Sequence, residues 1–287
     1  MDYVQLRDAY TTVKKTCRND WCSEAASQAI IDLAATSLKF LTAECEQTDL
    51  NSLVPGKRYF SFLRNNVVAR PANSDFFVVN PKLVTREWRA WLRGQPNTRN
   101  LRKLFYTVAL APCLAMELFD RNNKKGPATY FECLIGHVFA KSLGIGPSKQ
   151  TALSIAGRSV RMTMDFLFET ADGVPNIHLP VKMSTRERVV QAWAHQRLLD
   201  SAHGVGRYSG IMVLFSETKL DSRSREVVEI CVPDQWLAYQ TLLSKMDRIY
   251  YFDVPGRYQE LTQAFPSVIQ IRPFQDFFTE IVSVGSR

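Results

Sequence analysis

The ten residues Leu179-Pro180-Val181-Lys182-Met183-Ser184-Thr185-Arg186-Glu187-Arg188 carry the chain from a strand into a helix. Ile177 to Lys182 reads as the strand. Ser184 with Glu187 three positions on is a capping box, which predicts a helix from Thr185 to Asp200. Arg186, Glu187 and Arg188 then fill the first helical turn. Two guanidiniums there oppose the helix dipole, whose N-terminal end favours anions. The placement makes sense where that end meets phosphates and base edges. Arginine takes guanine O6 and N7 together, and glutamate accepts from cytosine N4, so Arg-Glu-Arg suits adjacent C·G pairs. The same residues also fit a solvated helix start with an internal Arg–Glu pair.

Upstream lies Met162-Thr163-Met164-Asp165-Phe166-Leu167-Phe168, a strand with one carboxylate among apolar residues. Burying that carboxylate is costly unless a cation or metal meets it. Asp172-Gly173 is a hairpin turn signal between this strand and Ile177–Lys182. A turn near Gly173-Val174 sets Asp165 about opposite Lys182, and moving the turn by one residue shifts the pairing by two. A buried ion pair and a metal-binding acid beside a lysine are both compatible with this. Glu132 is a third candidate. It lies beside the apolar face of a helix predicted over Pro127–Leu143, where it is either a boundary glutamate or an acid reaching the sheet. Together the three suit phosphodiester hydrolysis. Asp165 and Glu132 would hold Mg²⁺ through oxygen, and Lys182 would orient a water or neutralise charge on the phosphate.

Working outward, strands are expected at Val160–Glu169, Ile177–Lys182, Ile211–Phe215, Val227–Val232, Arg248–Phe252 and Val268–Ile271. Helices are expected at Pro233–Met246 and Phe274–Val282 as well as from Thr185. The alternation predicts a mixed α/β core over 121–287. Residues 1–120 read as a mainly helical region for DNA contact or dimerisation, packed with the core as one unit. Helices are predicted at Ala25–Leu41, Thr85–Arg93 and Asn100–Leu118. Residues 51–82, with Pro55-Gly56, Pro71 and Pro81, read as irregular.

The 36 Lys and Arg against 28 Asp and Glu give a net charge of +8, which favours a polyanionic partner, nucleic acid first. The six cysteines form no C-x-x-C pair and no zinc spacing, so they are expected to be reduced thiols. Met1-Asp2-Tyr3-Val4-Gln5 lacks the charged start of a signal peptide, and no stretch is long enough for a membrane span. A soluble cytoplasmic protein without membrane contact is expected. Gly144-Ile145-Gly146 and Gly204-Val205-Gly206 do not extend to phosphate loops and read as turns. His137 is expected to pack or to lie on the surface, and His178 to lie near DNA.

Asp165, Lys182 and the following Arg186-Glu187-Arg188, with Glu132 upstream, resemble the PD-(D/E)xK nucleases. More narrowly, they resemble the restriction enzymes of CCGG and CC-(gap)-GG sites, which carry R-(D/E)-R just after the catalytic lysine. The resemblance rests mainly on residues 127–200. It implies a PD-(D/E)xK fold with a central mixed sheet flanked by helices, and a Mg²⁺-dependent type II endonuclease of the prokaryotic cytoplasm. Its partner would be double-stranded DNA with CC/GG pairs, bound by a homodimer or higher oligomer. It implies that Asp165 binds metal, that Lys182 is catalytic, that Glu132 is the helical acid, and that Arg186, Glu187 and Arg188 read bases.

The pattern departs from the broad motif at Pro180, where an acid is usual. The narrower group places a glutamate 13 or 14 residues after the lysine, and His195 and Gln196 stand there. Either would be a weaker ligand or would bind a metal-bound water. Some relatives flip a central base, and Arg58 and Phe62 of Lys57-Arg58-Tyr59-Phe60-Ser61-Phe62-Leu63-Arg64 are candidates for a contact and a wedge. The aromatics there also fit a core. Two other readings stay open. Pro180 and the absent helix glutamate favour a sequence-specific binder that has lost cleavage, whereas Arg-Glu-Arg counts against a structure-specific nuclease.

Overall fold

The computed structural model describes residues 2–120, 122–123, 125–185 and 189–280. In chain order the first elements are α1 (Tyr3–Asn19), α2 (Glu24–Glu44), β1 (Glu46–Leu50), β2 (Tyr59–Arg64), β3 (Val67–Val68), β4 (Ala72–Asn73), α3 (Pro81–Leu92), α4 (Leu101–Phe119) and α5 (Lys125–Leu143). There follow β5 (Ser148–Ile155), β6 (Arg158–Phe168), β7 (Asn176–His178), β8 (Val181–Lys182), α6 (Val190–His203), β9 (Tyr208–Leu214), β10 (Thr218–Leu220) and β11 (Val227–Glu229). The last are α7 (Pro233–Leu242), β12 (Arg248–Tyr251), α8 (Gly256–Ala264) and β13 (Ile271–Pro273). They pack as two units, Met1–His137 with Thr218–Ile230, and Val138–Glu217 with Cys231–Arg287.

In the first unit, α1 starts at a capping box in which Asp2 accepts from the Gln5 N–H and Gln5 accepts in return from the Asp2 N–H. Ser23 caps α2, accepting from the Ala26 N–H. α4 is buried almost all round, from Leu104 through Met116, and forms the centre of the unit. His137 is fully buried, with Nε2 2.9 Å from Ser27 Oγ and Nδ1 2.7 Å from the Trp21 carbonyl, so it packs. Residues 51–82, expected to be irregular, hold three strands of a small antiparallel sheet, with β1 and β3 on β2 and β4 pairing β2 as well. Tyr59, Phe60, Ser61 and Phe62 are all buried, so β2 shows none of the alternation that betrays a half-buried strand.

The second unit is built on a seven-stranded mixed sheet in the order β13-β12-β9-β7-β6-β5, with β8 also beside β9. β13, β12, β9, β7 and β8 run parallel to their partners on the β9 side, while β6 is antiparallel to β5 and β7. The parallel strands are continuous apolar runs, such as Ile211-Met212-Val213-Leu214, as strands covered on both faces require. Trp193 of α6 packs in one cluster with Met212, Leu214, Ile249, Tyr251 and Trp236, and its indole N–H donates to Gln240 Oε1 at 2.9 Å. Leu199 of the same helix packs on Met164, Leu167 and Tyr208. This is the mixed α/β core expected.

Several expectations change; the strand expected at Val268–Ile271, for one, begins only at Ile271 and runs to Pro273. Ile177–Lys182 is not one strand but β7 and β8, separated at Leu179-Pro180. β5 was not expected: it pairs with β6 through a turn in which Ala156 and Gly157 both have positive φ, 50° and 75°. Val227–Glu229 leaves the central sheet and pairs with β10 in the first unit. Thr185 is not helical, and the helix that follows is described from Val190. All six cysteines are free thiols, and among the described residues no helix is long and apolar enough to cross a membrane.

Candidate active site

β6 and β7 pair through Leu167↔His178 and Phe168↔Ile177, and the ladder ends where the Leu179 N–H donates to the Phe166 carbonyl at 3.0 Å. Pro180 faces the other neighbour, its carbonyl accepting from the Val213 N–H of β9 at 2.9 Å. Beside β9 the register runs on unbroken, His178↔Gly210, Val181↔Val213 and Lys182↔Leu214. The sheet therefore forks at Pro180. The Val181 N–H that a continued ladder would use donates instead to Asp165 Oδ2 at 2.9 Å. The same oxygen accepts from Lys182 Nζ at 2.6 Å.

The β6–β7 register sets Asp165 opposite Pro180, two residues from the expected partner Lys182. The lysine nevertheless reaches the carboxylate. The two side chains keep 25% and 24% of their surface exposed, so the pair is sheltered but open to solvent and to a ligand. Asp165 is thus held by a backbone donor and a cation at once.

α6 supplies the second layer. Gln196 is buried, and its amide nitrogen donates to Asp200 Oδ1 at 3.0 Å and to the Tyr208 carbonyl at 2.9 Å. Both are acceptors, which fixes the amide orientation and leaves Oε1 facing His178 Nδ1 at 2.9 Å. An amide oxygen only accepts, so His178 carries its proton on Nδ1 and presents a bare lone pair on Nε2. Burial pushes the His178 pKa down to about 4, against the raising effect of the Gln196 bond, so the ring is neutral. Ser244 Oγ donates to the other oxygen of Asp200, extending the chain of bonds. Gly210 makes room for it: a Cβ there would lie 2.8 Å from Gln196 Oε1 and 2.6 Å from Met246 Sδ.

The two positions 13 and 14 residues past Lys182 therefore differ. Both ends of the Gln196 amide are engaged in this network. His195 is half-buried, its ring centroid 6.3 Å from that of His178. Burial lowers its pKa; the Asp165 charge raises it and the Lys182 charge lowers it, so the ring lies within electrostatic reach of both.

Beyond Lys182, the Thr185 N–H donates to both oxygens of the buried Glu217, at 3.0 and 3.1 Å, and the Tyr251 hydroxyl donates to Glu217 Oε1 at 2.8 Å. That carboxylate anchors the segment leaving Lys182. Arg186, Glu187 and Arg188, and with Glu187 the capping box, lie outside the described residues.

The remaining candidates belong to the first unit. Glu132 is half-buried on α5, and its charge acts on Tyr10 of α1, helping to raise that phenol's pKa behind the larger effect of burial. Phe62 is buried in the core, 5.5 Å from Phe60 and 6.0 Å from Phe77 between ring centroids, so a wedge role would require it to leave this packing. Arg58 is exposed and pairs with Asp75 at 2.8 Å. Sequence reading missed the His178–Gln196 bond and Glu217. The glycine inside β9 was the available signal, since glycine within a strand marks close approach.

Among the described residues no three His, Cys, Asp or Glu side chains cluster to hold a metal by themselves. Mg²⁺ does not need such a cage. It keeps several waters and takes one or two carboxylates together with substrate phosphate. The partly exposed Asp165 carboxylate fits that demand.

No family model matches the sequence, and no curated protein does. Among solved structures, the chain aligns with the Type IIP restriction endonuclease Kpn2I at a TM-score of 0.81 and 23% identity, over 97% of this chain and 96% of that one. The chain has that restriction endonuclease's fold. This is the PD-(D/E)xK fold expected, and the fork that holds Asp165 and Lys182 is part of its central sheet. The PspGI–substrate DNA complex aligns at a TM-score of 0.46 and 16% identity, over 91% and 93% of the two chains.

Proposed function

We propose that this chain is a type II restriction endonuclease: a Mg²⁺-dependent, sequence-specific enzyme that hydrolyses double-stranded DNA at a palindromic or gapped site containing CC/GG pairs. The observation that carries the reading is the Asp165–Lys182 pair, seated at a fork in the sheet of a restriction-endonuclease fold. Asp165 would hold the metal, with the Val181 N–H fixing its carboxylate. When bound, Mg²⁺ supplies charge neutralisation at the scissile phosphate and a more acidic water. Lys182, beside Asp165, would orient the water and stabilise charge on the phosphate oxygens. His195 stands where a second acid would serve and would hold a water by hydrogen bond. Glu132 is assigned as a further acid, and Arg186, Glu187 and Arg188 as base readers. A homodimer matches its own symmetry to a palindromic site.

The engagement of both ends of Gln196 favours one competing reading, a sequence-specific binder without cleavage. Incubation of the protein with long mixed-sequence DNA and Mg²⁺, followed by sequencing of the ends, separates the two. Discrete cuts at one C·G-containing site, absent with Asp165→Ala and Lys182→Ala, support the endonuclease. Selective binding with no cut supports the binder.

A further inference from the structure

We propose that the exposed face of α3 binds the phosphate backbone of double-stranded DNA, an inference that rests on the DNA-directed function above. α3 has two faces. Val84, Trp88 and Trp91 are buried. Lys82, Arg86 and Arg89 are exposed on the opposite side, and Arg93, capping the helix, extends the row. The spacing of i, i+4, i+7 and i+11 aligns the four on one stripe, which spans roughly 16 Å at 1.5 Å rise per residue.

These side chains and the exposed Lys39 of α2 line a cleft of about 480 Å³. Arg86 pairs with Glu87 at 2.9 Å. Lys39, Lys82, Arg89 and Arg93 have no carboxylate partner among the described residues. Like charges at these spacings oppose helix formation, and Lys82 in the first turn also opposes the dipole. The helix tolerates the row through its buried tryptophans. A polyanion would satisfy it.

The chemistry of the lining selects among polyanions. Three of the five cations are arginines, whose forks suit phosphate oxygens. The lining holds no aromatic side chain on which unpaired bases could stack, since Trp88 and Trp91 face the core, so single-stranded nucleic acid is disfavoured. It holds no large apolar side chain to enter a bilayer either. What remains is a duplex backbone, read without base contacts.

The test is the salt dependence of binding to a fluorescein-labelled random duplex of about 30 base pairs without divalent cation, followed by anisotropy from about 50 to 300 mM NaCl. The variant replaces Lys82, Arg86, Arg89 and Arg93 with Ala. A charge-matched control replaces the exposed Arg7, Lys15, Arg18 and Arg223 with Ala, and far-UV circular dichroism melts check that both fold. Each phosphate that the protein no longer neutralises lowers the slope of log Kobs against log[NaCl] by about 0.9. The α3 variant is expected to forfeit about 2 to 4 from the slope and at least about tenfold in affinity at the lowest salt, with the control near wild type.

An unchanged slope in the α3 variant, or an equal fall in the control, overturns the inference while leaving duplex binding intact. α3-dependent binding to single-stranded RNA or anionic vesicles in preference to the duplex also overturns it. Failure of the wild type to bind any duplex overturns the endonuclease reading, and this inference with it.

Discussion

His178 donates its Nδ1 proton to Gln196 Oε1 at 2.9 Å, across the 18 residues that separate them on strand β7 and helix α6. The bond fixes the tautomer of a buried imidazole whose pKa is held down to about 4. An unfolded histidine titrates near about 6.5. The unfolded chain therefore binds the extra proton between the two values. The contribution to stability is full above about pH 6.5 and falls as pH drops toward 4, by about 3 kcal/mol at about 1.36 kcal/mol per unit. His178→Asn keeps a donor for Gln196 and removes the titration. Melting temperatures at neutral pH and near the folded-state pKa should converge in this variant relative to wild type; an undiminished acid loss would show that other groups carry it.

Asp165→Asn retains an acceptor for the Val181 N–H and loses the charge. It should lower single-turnover cleavage by about 10²-fold or more while keeping DNA binding equal or tighter, since a negative charge near phosphate is gone. Lys182→Met should lose cleavage to a similar extent. The pair is only about one quarter exposed, so either change should also lower urea-unfolding stability, by about 1–3 kcal/mol. A large loss of stability with activity retained would mark the pair as structural.

Gly210→Ala should destabilise by about 1–3 kcal/mol, the range for overpacking a filled core. The added Cβ meets Gln196 Oε1, which its network holds in place, and Met246 Sδ. Urea midpoints measure the effect, and a neutral substitution would mean that the Gln196 network shifts freely.

Arg186→Ala and Arg188→Ala should each reduce discrimination between the cognate site and a C·G-substituted site by about 1–3 kcal/mol. Competition binding reads this as a ratio. An equal loss on both sites would make the two arginines phosphate contacts.

The pair at the fork was legible because a carboxylate in an apolar strand and a lysine on the next strand advertise themselves. Its register was not: nothing local says that the chain leaves the β6 ladder after Leu179, gives its Val181 N–H to Asp165 and follows β9 alone. β2 was missed because it is buried on both faces, and β5 because its residues show no clean alternation beside an exposed stretch of β6. The His178–Gln196 bond lay beyond reach for another reason. Each residue alone reads as an ordinary polar side chain, and only the packing of α6 across Gly210 joins them.

The hairpin β10–β11 has a consequence for synthesis. Val227 packs with Val54 and Tyr59, exchanges backbone bonds with Asn51 and Leu53, and stands two residues from Glu229, which pairs with Lys57 at 2.9 Å. The first unit is thus closed by residues made long after its helices, once the β6–β9 stretch of the sheet has already left the ribosome. Until residue 229 emerges, Val54 and Tyr59 lack their cover. A fragment ending at Leu143 would include α1 to α5 but lack Val227, the residue that covers Val54 and Tyr59. The first unit is therefore discontinuous in the chain, and no single N-terminal segment contains all of it.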